Sequence, residues 1–210
     1  MSAITLYNYE LDEQSYRARL TLSVLGLEWS TVPIDMFPGG EHRKPPMLAL
    51  NPQGALPVMR DGDFVLSGTT AIMLYLAKAY DPAKRWLPDD AATFGALSHW
   101  LSFFETSLAA AVEARLQALF DLPGDTDALH QSARAAFRIM DDHMTIRHFD
   151  GKEWFVGEDA TLADLALFPS FALSRDYGID HDEYPVLRRW IRRVRTVKGF
   201  LTMPGIPDYH

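Results

Sequence analysis

The stretch 51–72, Asn51-Pro-Gln-Gly-Ala-Leu-Pro57-Val-Met-Arg60-Asp-Gly-Asp-Phe64-Val-Leu-Ser-Gly68-Thr-Thr-Ala-Ile72, places three structural signals in one run. Residues 56–60 and 64–66 read as strands, and Asp61-Gly62-Asp63 between them carries the Asp-Gly pair, the strongest short signal for a hairpin. Pro57 stands at the first strand's start, where a residue that cannot donate to a ladder is tolerated, and a cis bond suits such a turn. That arrangement turns the amide and carbonyl of Leu56 outward, free to pair with an extended peptide as an added strand. The second strand runs straight into Gly68-Thr69-Thr70, which opens a helix over 69–79 with Ile72, Leu74, Tyr75 and Leu76 apolar. The exposed N–H groups and positive end of such a helix attract a carboxylate, and the Thr69 hydroxyl adds a donor. Taken singly, an ordinary loop proline and a Thr69 or Ser67 that caps its own helix explain these features as well.

Upstream, residues 4–7 read as a strand, and residues 16–25 put Ala18, Leu22 and Leu25 on one helical face that ends at Gly26. Residues 29–34 alternate like a second strand, so the unit is β-α-β, with a parallel pair and a right-handed crossover. Residues 37–46 form a charged loop rich in Pro and Gly. The order β-α-β-loop-β-β-α is that of a thioredoxin-like domain over 1–81, and 82–90 reads as a linker. Beyond it strand signals stop. Helical patterns over 97–120, 127–148, 162–173 and 185–197 form an all-helical domain over 91–210, so the fold class is α/β plus all-α. Thr161 and Asp164 have capping-box spacing at the start of the third of these, with Ala160 and Leu165 placed as a staple.

Composition narrows the chemistry. The 210 residues, 48% hydrophobic and 23% charged, suit a globular chain with an ample core. With 0 Cys there is no disulfide, thiolate metal site or nucleophilic cysteine, so any sulfur chemistry uses a ligand's sulfur and a thioredoxin-type redox role is excluded. A net charge of -8 argues against nucleic-acid binding, and the basic run Arg188, Arg189, Arg192, Arg193, Arg195 and Lys198 reads as the solvated face of a helix. No apolar run has the length to cross a bilayer, and the first residues lack the pattern of a secretion signal, so no membrane association and a cytoplasmic address are expected. His99, His130, His143 and His148 show no metal-ligand spacing, and no metal is expected.

The proline turn, the turn into a helix at Thr69, the capping box and Tyr184-Pro-Val-Leu-Arg-Arg-Trp190 resemble, in that order, the glutathione transferase superfamily. Glu41-His42-Arg43 followed by Asn51-Pro-Gln-Gly looks like its phi and theta branches, and the first domain is also zeta-like. The resemblance implies glutathione as co-substrate, held by His42, Arg43, Leu56, Pro57, Gly68 and Thr69. It also implies a small electrophile in a pocket lined by Trp100, Phe103, Phe104 and Ser107, and a homodimer.

Two departures stand out. Family members carry an acid and then Ser at the turn that receives the γ-glutamyl group, whereas this chain has Gly68 and Thr69. Asn8, Asp12 and Gln14 fall at the positions of the usual tyrosine, serine and cysteine that activate the thiol. Holding a thiol of pKa about 8.5 as thiolate near neutrality means lowering it by about two units, which takes roughly 2.7 kcal/mol. Ser15, then Asn8, then Tyr9 are the residues expected to contact the sulfur, with Gln14 a further amide donor. An ionised Asp12 about 4 Å from the sulfur would oppose them by ~4 kcal/mol, so Asp12 points away, is protonated, or thiolate chemistry is not the task; Asp12 or Ser15 also reads as the N-cap of the first helix. The leading reading is therefore a transferase acting on a small electrophile. The alternative is a non-catalytic binding or scaffold protein on the same fold.

Overall fold

The computed structural model describes residues 4–208. The first unit holds a four-stranded sheet in the order β2-β1-β3-β4. Strand β1 (Ile4–Asn8) leads through α1 (Glu13–Val24) to β2 (Trp29–Pro33), and β1 and β2 pair in parallel. Strands β3 (Val58–Asp61) and β4 (Phe64–Ser67) follow, with β3 antiparallel to both β1 and β4, and α3 (Thr69–Tyr80) closes the unit. Strand alternation sends Ile4, Leu6 and Met59 to one face, where they pack with Ala18 and Leu22 of α1 and Ile72 and Leu76 of α3. Tyr7, Tyr9, Val32 and Val65 pack on the other face with Ile34, Met47, Leu56 and Val58.

Several local features differ from the sequence pattern for identifiable reasons. Helix α1 begins at Glu13, three residues before the apolar face does, because Asp12 accepts from Gln14 N at 3.2 Å and Ser15 N at 2.8 Å. The first turn buries an ion pair, Glu13 with Arg17 at 3.3 Å, which hides its helical register from an apolar count. In the hairpin, Asp61 is the last paired residue, opposite Phe64, and Gly62 takes φ 58° at the first central position. The loop over 37–46 contains a 3₁₀ turn, Glu41–Arg43, and runs into a short helix α2 (Pro45–Leu48) that starts on a proline. The peptide bonds Phe37–Pro38 and Leu56–Pro57 are both cis.

The second unit is helical: α4 (Ala91–Ser107), α5 (Ala109–Phe120), α6 (Thr126–Phe149), α7 (Leu162–Ala172) and α8 (Pro185–Val194). The single helix expected over 97–120 is broken at Leu108 (φ -91°, ψ 0°), a buried residue whose amide still donates within α4. Every residue of α7 is buried. The capping box is present, and fully buried Asp164 accepts from Thr161 N at 2.9 Å, Phe155 N at 3.1 Å and Trp190 Nε1 at 2.9 Å. In the basic run, Arg188 pairs with Asp182 at 2.6 Å, Arg193 with Glu153 at 3.0 Å, and Arg195 with Asp208.

The chain divides into two compact units. The first unit extends to Pro82 and takes in Lys198–Met203, which the sequence reading left in the helical domain. The Tyr16 hydroxyl of α1 donates to Leu201 O, and a Cβ added to Gly199 (φ 83°) would lie 2.6 Å from Ser23 O. Among the described residues, no helix is long and apolar enough to cross a membrane.

Candidate functional site

The sheet register gathers the candidate site at one edge of the first unit. Val58 pairs with both Tyr7 and Ser67, so the next residues along, Asn8 of β1, Pro57 ahead of β3 and Gly68 after β4, lie side by side. Gly68 (φ 92°) opens α3 without a side-chain cap. Among the described residues, the amides of Thr69, Thr70 and Ala71 make no hydrogen bond, and the Thr70 hydroxyl is buried without a partner. The amide and carbonyl of Leu56 are likewise unused among the described residues. The edge therefore offers a positive helix end with open N–H donors beside an open stretch of main chain, a combination suited to an extended ligand that carries a carboxylate.

The start of α1 is the opposite case, because its donors are already taken. Asp12 is 3% exposed and accepts the Ser15 hydroxyl at 2.6 Å as well as the two amides. Burial pushes its carboxyl above the usual carboxylate range, against those hydrogen bonds. It is turned into its own helix, as an N-cap must be.

The contacts of Ser15, Asn8 and Tyr9 set what each can offer a ligand. Ser15 is fully buried, gives its only O–H to Asp12, and accepts from Tyr9 N at 3.4 Å, so it has no proton to offer a ligand. Asn8 is 3% exposed and its side-chain carbonyl accepts from Arg19, which also donates to Tyr9 O at 3.2 Å and Glu10 O at 2.8 Å. Tyr9 follows Asn8 by one residue and so points to the opposite face, where its hydroxyl donates to Phe37 O at 3.4 Å. Burial, then Asp35 and Glu10, raise its pKa.

Two residues bind the neighbourhood together in a way the sequence reading did not resolve. Arg19 clamps the β1–α1 connection, and its only sequence signal is a polar residue four after Ser15 on the same side of the helix. Gln14 crosses from α1 to α3, its Oε1 accepting from the Thr69 hydroxyl at 3.0 Å. Thr69 itself is 8% exposed.

His42 is buried in the 3₁₀ turn, 6.3 Å from the Phe37 ring, and its Nδ1 has no partner among the described residues. Burial, then neighbouring Arg43, lower its pKa, so the ring is neutral at physiological pH. Arg43 is exposed. Buried Asn51 shapes the turn that leads to Leu56, donating to Ala55 O at 2.9 Å and accepting from Gln53 N at 3.1 Å.

In the helical unit, Trp100, Phe103 and Phe104 are buried. Trp100 meets Phe155 edge-on at 4.8 Å and the His143 ring at 4.6 Å, which makes it part of the helical core. Ser107 lines a separate open cleft of about 530 Å³ with Thr106, Glu113 and Ile139. Among the described residues no group of three or more His, Asp or Glu is placed to hold a metal ion.

Comparison with known proteins places this geometry in a lineage. The family model described as glutathione S-transferase, N-terminal domain, matches residues 14–79, and that for the C-terminal domain matches residues 125–196. Glutathione S-transferase 1 of Dianthus caryophyllus is 30% identical over 189 residues, covering 87% of this chain and 83% of the relative. The chain belongs to the glutathione transferase family. A maleylacetoacetate isomerase of Pseudomonas aeruginosa is 29% identical over 198 residues, covering 88% of this chain and 87% of its own. A solved glutathione S-transferase from Xanthobacter autotrophicus superposes with a TM-score of 0.86 at 26% identity, over 97% of this chain and 98% of that one. In this glutathione transferase family chain, one family match falls in each unit, and the first spans Gln14, Leu56, Pro57, Gly68 and Thr69.

Proposed function

We propose that the chain binds glutathione at the sheet edge and activates its thiol for attack on a small electrophile. The observation that carries this reading is the uncapped start of α3 beside the unused main chain of Leu56. The γ-glutamyl carboxylate meets the open amides of Thr69 to Ala71, the cysteinyl main chain pairs with Leu56, and His42 and Arg43 face the glycine end. The converging positive ends of α1 and α3 favour the thiolate, and catalysis is mainly positioning plus stabilisation of that anion. Small, internal to the cell and dimeric is the setting in which such an enzyme of detoxification works, so a cytoplasmic homodimer completes the proposal. The names of the relatives span thiol transfer and isomerisation, and the electrophile decides between them.

The test is thiol-dependent turnover across a panel of electrophiles, in the wild-type chain and in Thr69→Ala. The reading expects conjugation that drops several-fold in the variant, which keeps the Thr69 amide but loses the hydroxyl that anchors Gln14 at the edge. Absence of turnover together with absence of glutathione binding would remove it. A second reading, a non-catalytic binding protein, is favoured by one observation: the Ser15 and Tyr9 hydroxyls both donate to other partners. It expects bound glutathione whose thiol titrates as in water.

A further inference from the structure

With the Ser15 and Tyr9 hydroxyls engaged, an activated thiol needs an amide donor, and two side-chain amides at this edge keep their N–H groups: Asn8, which is 3% exposed, and Gln14, which is partly exposed and so the more accessible to a ligand. Gln14 is the second residue of α1, directly after Glu13, at the positive end of a 12-residue helix. Its Oε1 is held by the Thr69 hydroxyl at 3.0 Å, which fixes the orientation of the amide plane. Nε2 then presents two N–H groups that no hydrogen bond among the described residues uses, from a side chain that is partly exposed. The surrounding charges leave this donor unopposed. Asp12 is turned into the cap, Glu13 pairs with Arg17, Arg19 is taken up by Asn8 and the backbone of Tyr9 and Glu10, and the first turn of α3 has no acid.

We propose that Gln14 Nε2 is the donor that faces the bound sulfur, and that the Thr69–Gln14 hydrogen bond couples grip on the γ-glutamyl end to activation of the thiol. This inference rests on the glutathione reading above and deepens it. The proton leaves the thiol for solvent, and no oxidation or group transfer is involved. Gln14 stabilises the resulting thiolate by hydrogen bonding, as an amide does without titrating itself. Thr69, by this account, orients the amide through its hydroxyl as well as binding ligand.

The experiment titrates the thiol of glutathione bound to the purified chain by its ultraviolet thiolate absorbance, with calorimetry for affinity. Wild type is compared with Gln14→Met, which keeps length and loses both N–H groups, and with Gln14→Glu, which adds an anion. The expected result is a depressed thiol pKa in wild type, a rise of about one unit in Gln14→Met and a larger rise in Gln14→Glu. kcat/KM below the thiol pKa falls by about tenfold in Gln14→Met, while glutathione affinity changes by less than about threefold. A Gln14→Met chain that binds glutathione and keeps the wild-type thiol pKa overturns the inference and leaves the glutathione reading standing. A wild-type chain that binds no glutathione overturns both, and a wild-type complex with an unshifted thiol overturns the inference in favour of the binding-protein reading. Thr69→Val separates orientation from chemistry, since it removes the anchor and leaves the amide, and it raises the thiol pKa by less than Gln14→Met does.

Discussion

Asp12 caps α1, and its carboxylate is used up by the helix's first turn. Removing it separates two effects that act in opposite directions. Asp12→Ala loses the cap and strands the Ser15 hydroxyl, and is expected to lower unfolding stability by about 1–2 kcal/mol. Asp12→Asn keeps one accepting oxygen and removes a buried charge, but its NH2 group faces a donor that Asp12 satisfies, so urea unfolding at neutral pH should place its stability between Asp12→Ala and wild type. The pH dependence carries the same sign. Burial raises the folded pKa of Asp12, so between the unfolded value near 3.8 and the higher folded value the native state holds more protons. Stability from this group is complete below that window and declines as pH rises through it, and the Asn variant should lose that slope. The sequence shows Asp12 as a cap candidate but not Ser15's burial, because a hydroxyl beside an N-cap reads alike whether it faces ligand or carboxylate.

At the scale of elements, Thr161 and Asp164 illustrate what local spacing can and cannot foretell. The capping box at the start of α7 is legible from residue types three apart. The reach of Asp164 to Phe155 N and Trp190 Nε1 is not, since those partners lie 9 and 26 residues away. The two substitutions should therefore differ in size. Thr161→Ala is expected to cost about 1 kcal/mol, the ordinary loss of a cap. Asp164→Ala leaves the buried donors Thr161 N, Phe155 N and Trp190 Nε1 unpaired at about 1–3 kcal/mol each, besides the Thr161 hydroxyl, and is expected to reduce the soluble folded yield sharply, read by unfolding or by recovery from expression. The strands, hairpin and α3 were legible because alternation and the Asp-Gly signal act over a few residues. The break at Leu108 was not, because no glycine or proline marks it. The two short turns over 41–48 were hidden by the prolines and charges that make such a stretch read as loop.

For the whole molecule, the two-part plan follows from a simple change in periodicity, strands with helices first and helices alone after residue 90, and the order of the parts is the family's. Absence of cysteine directs sulfur chemistry to a ligand, and the register of β1, β3 and β4 brings Asn8, Pro57 and Gly68 together at the edge where the proposal places that ligand. The return of Lys198–Met203 to the first unit escaped the sequence because a tail contact of this length leaves no periodic signature. Calorimetric titration with glutathione, and with glutathione amidated at its γ-glutamyl α-carboxylate, bears most directly on the central claim that a carboxylate is held by the open amides of α3. The account predicts one glutathione per chain and at least about tenfold weaker binding of the amide, the cost of losing a charge-assisted bond. No heat of binding with glutathione, or equal affinity for the two ligands, would contradict it.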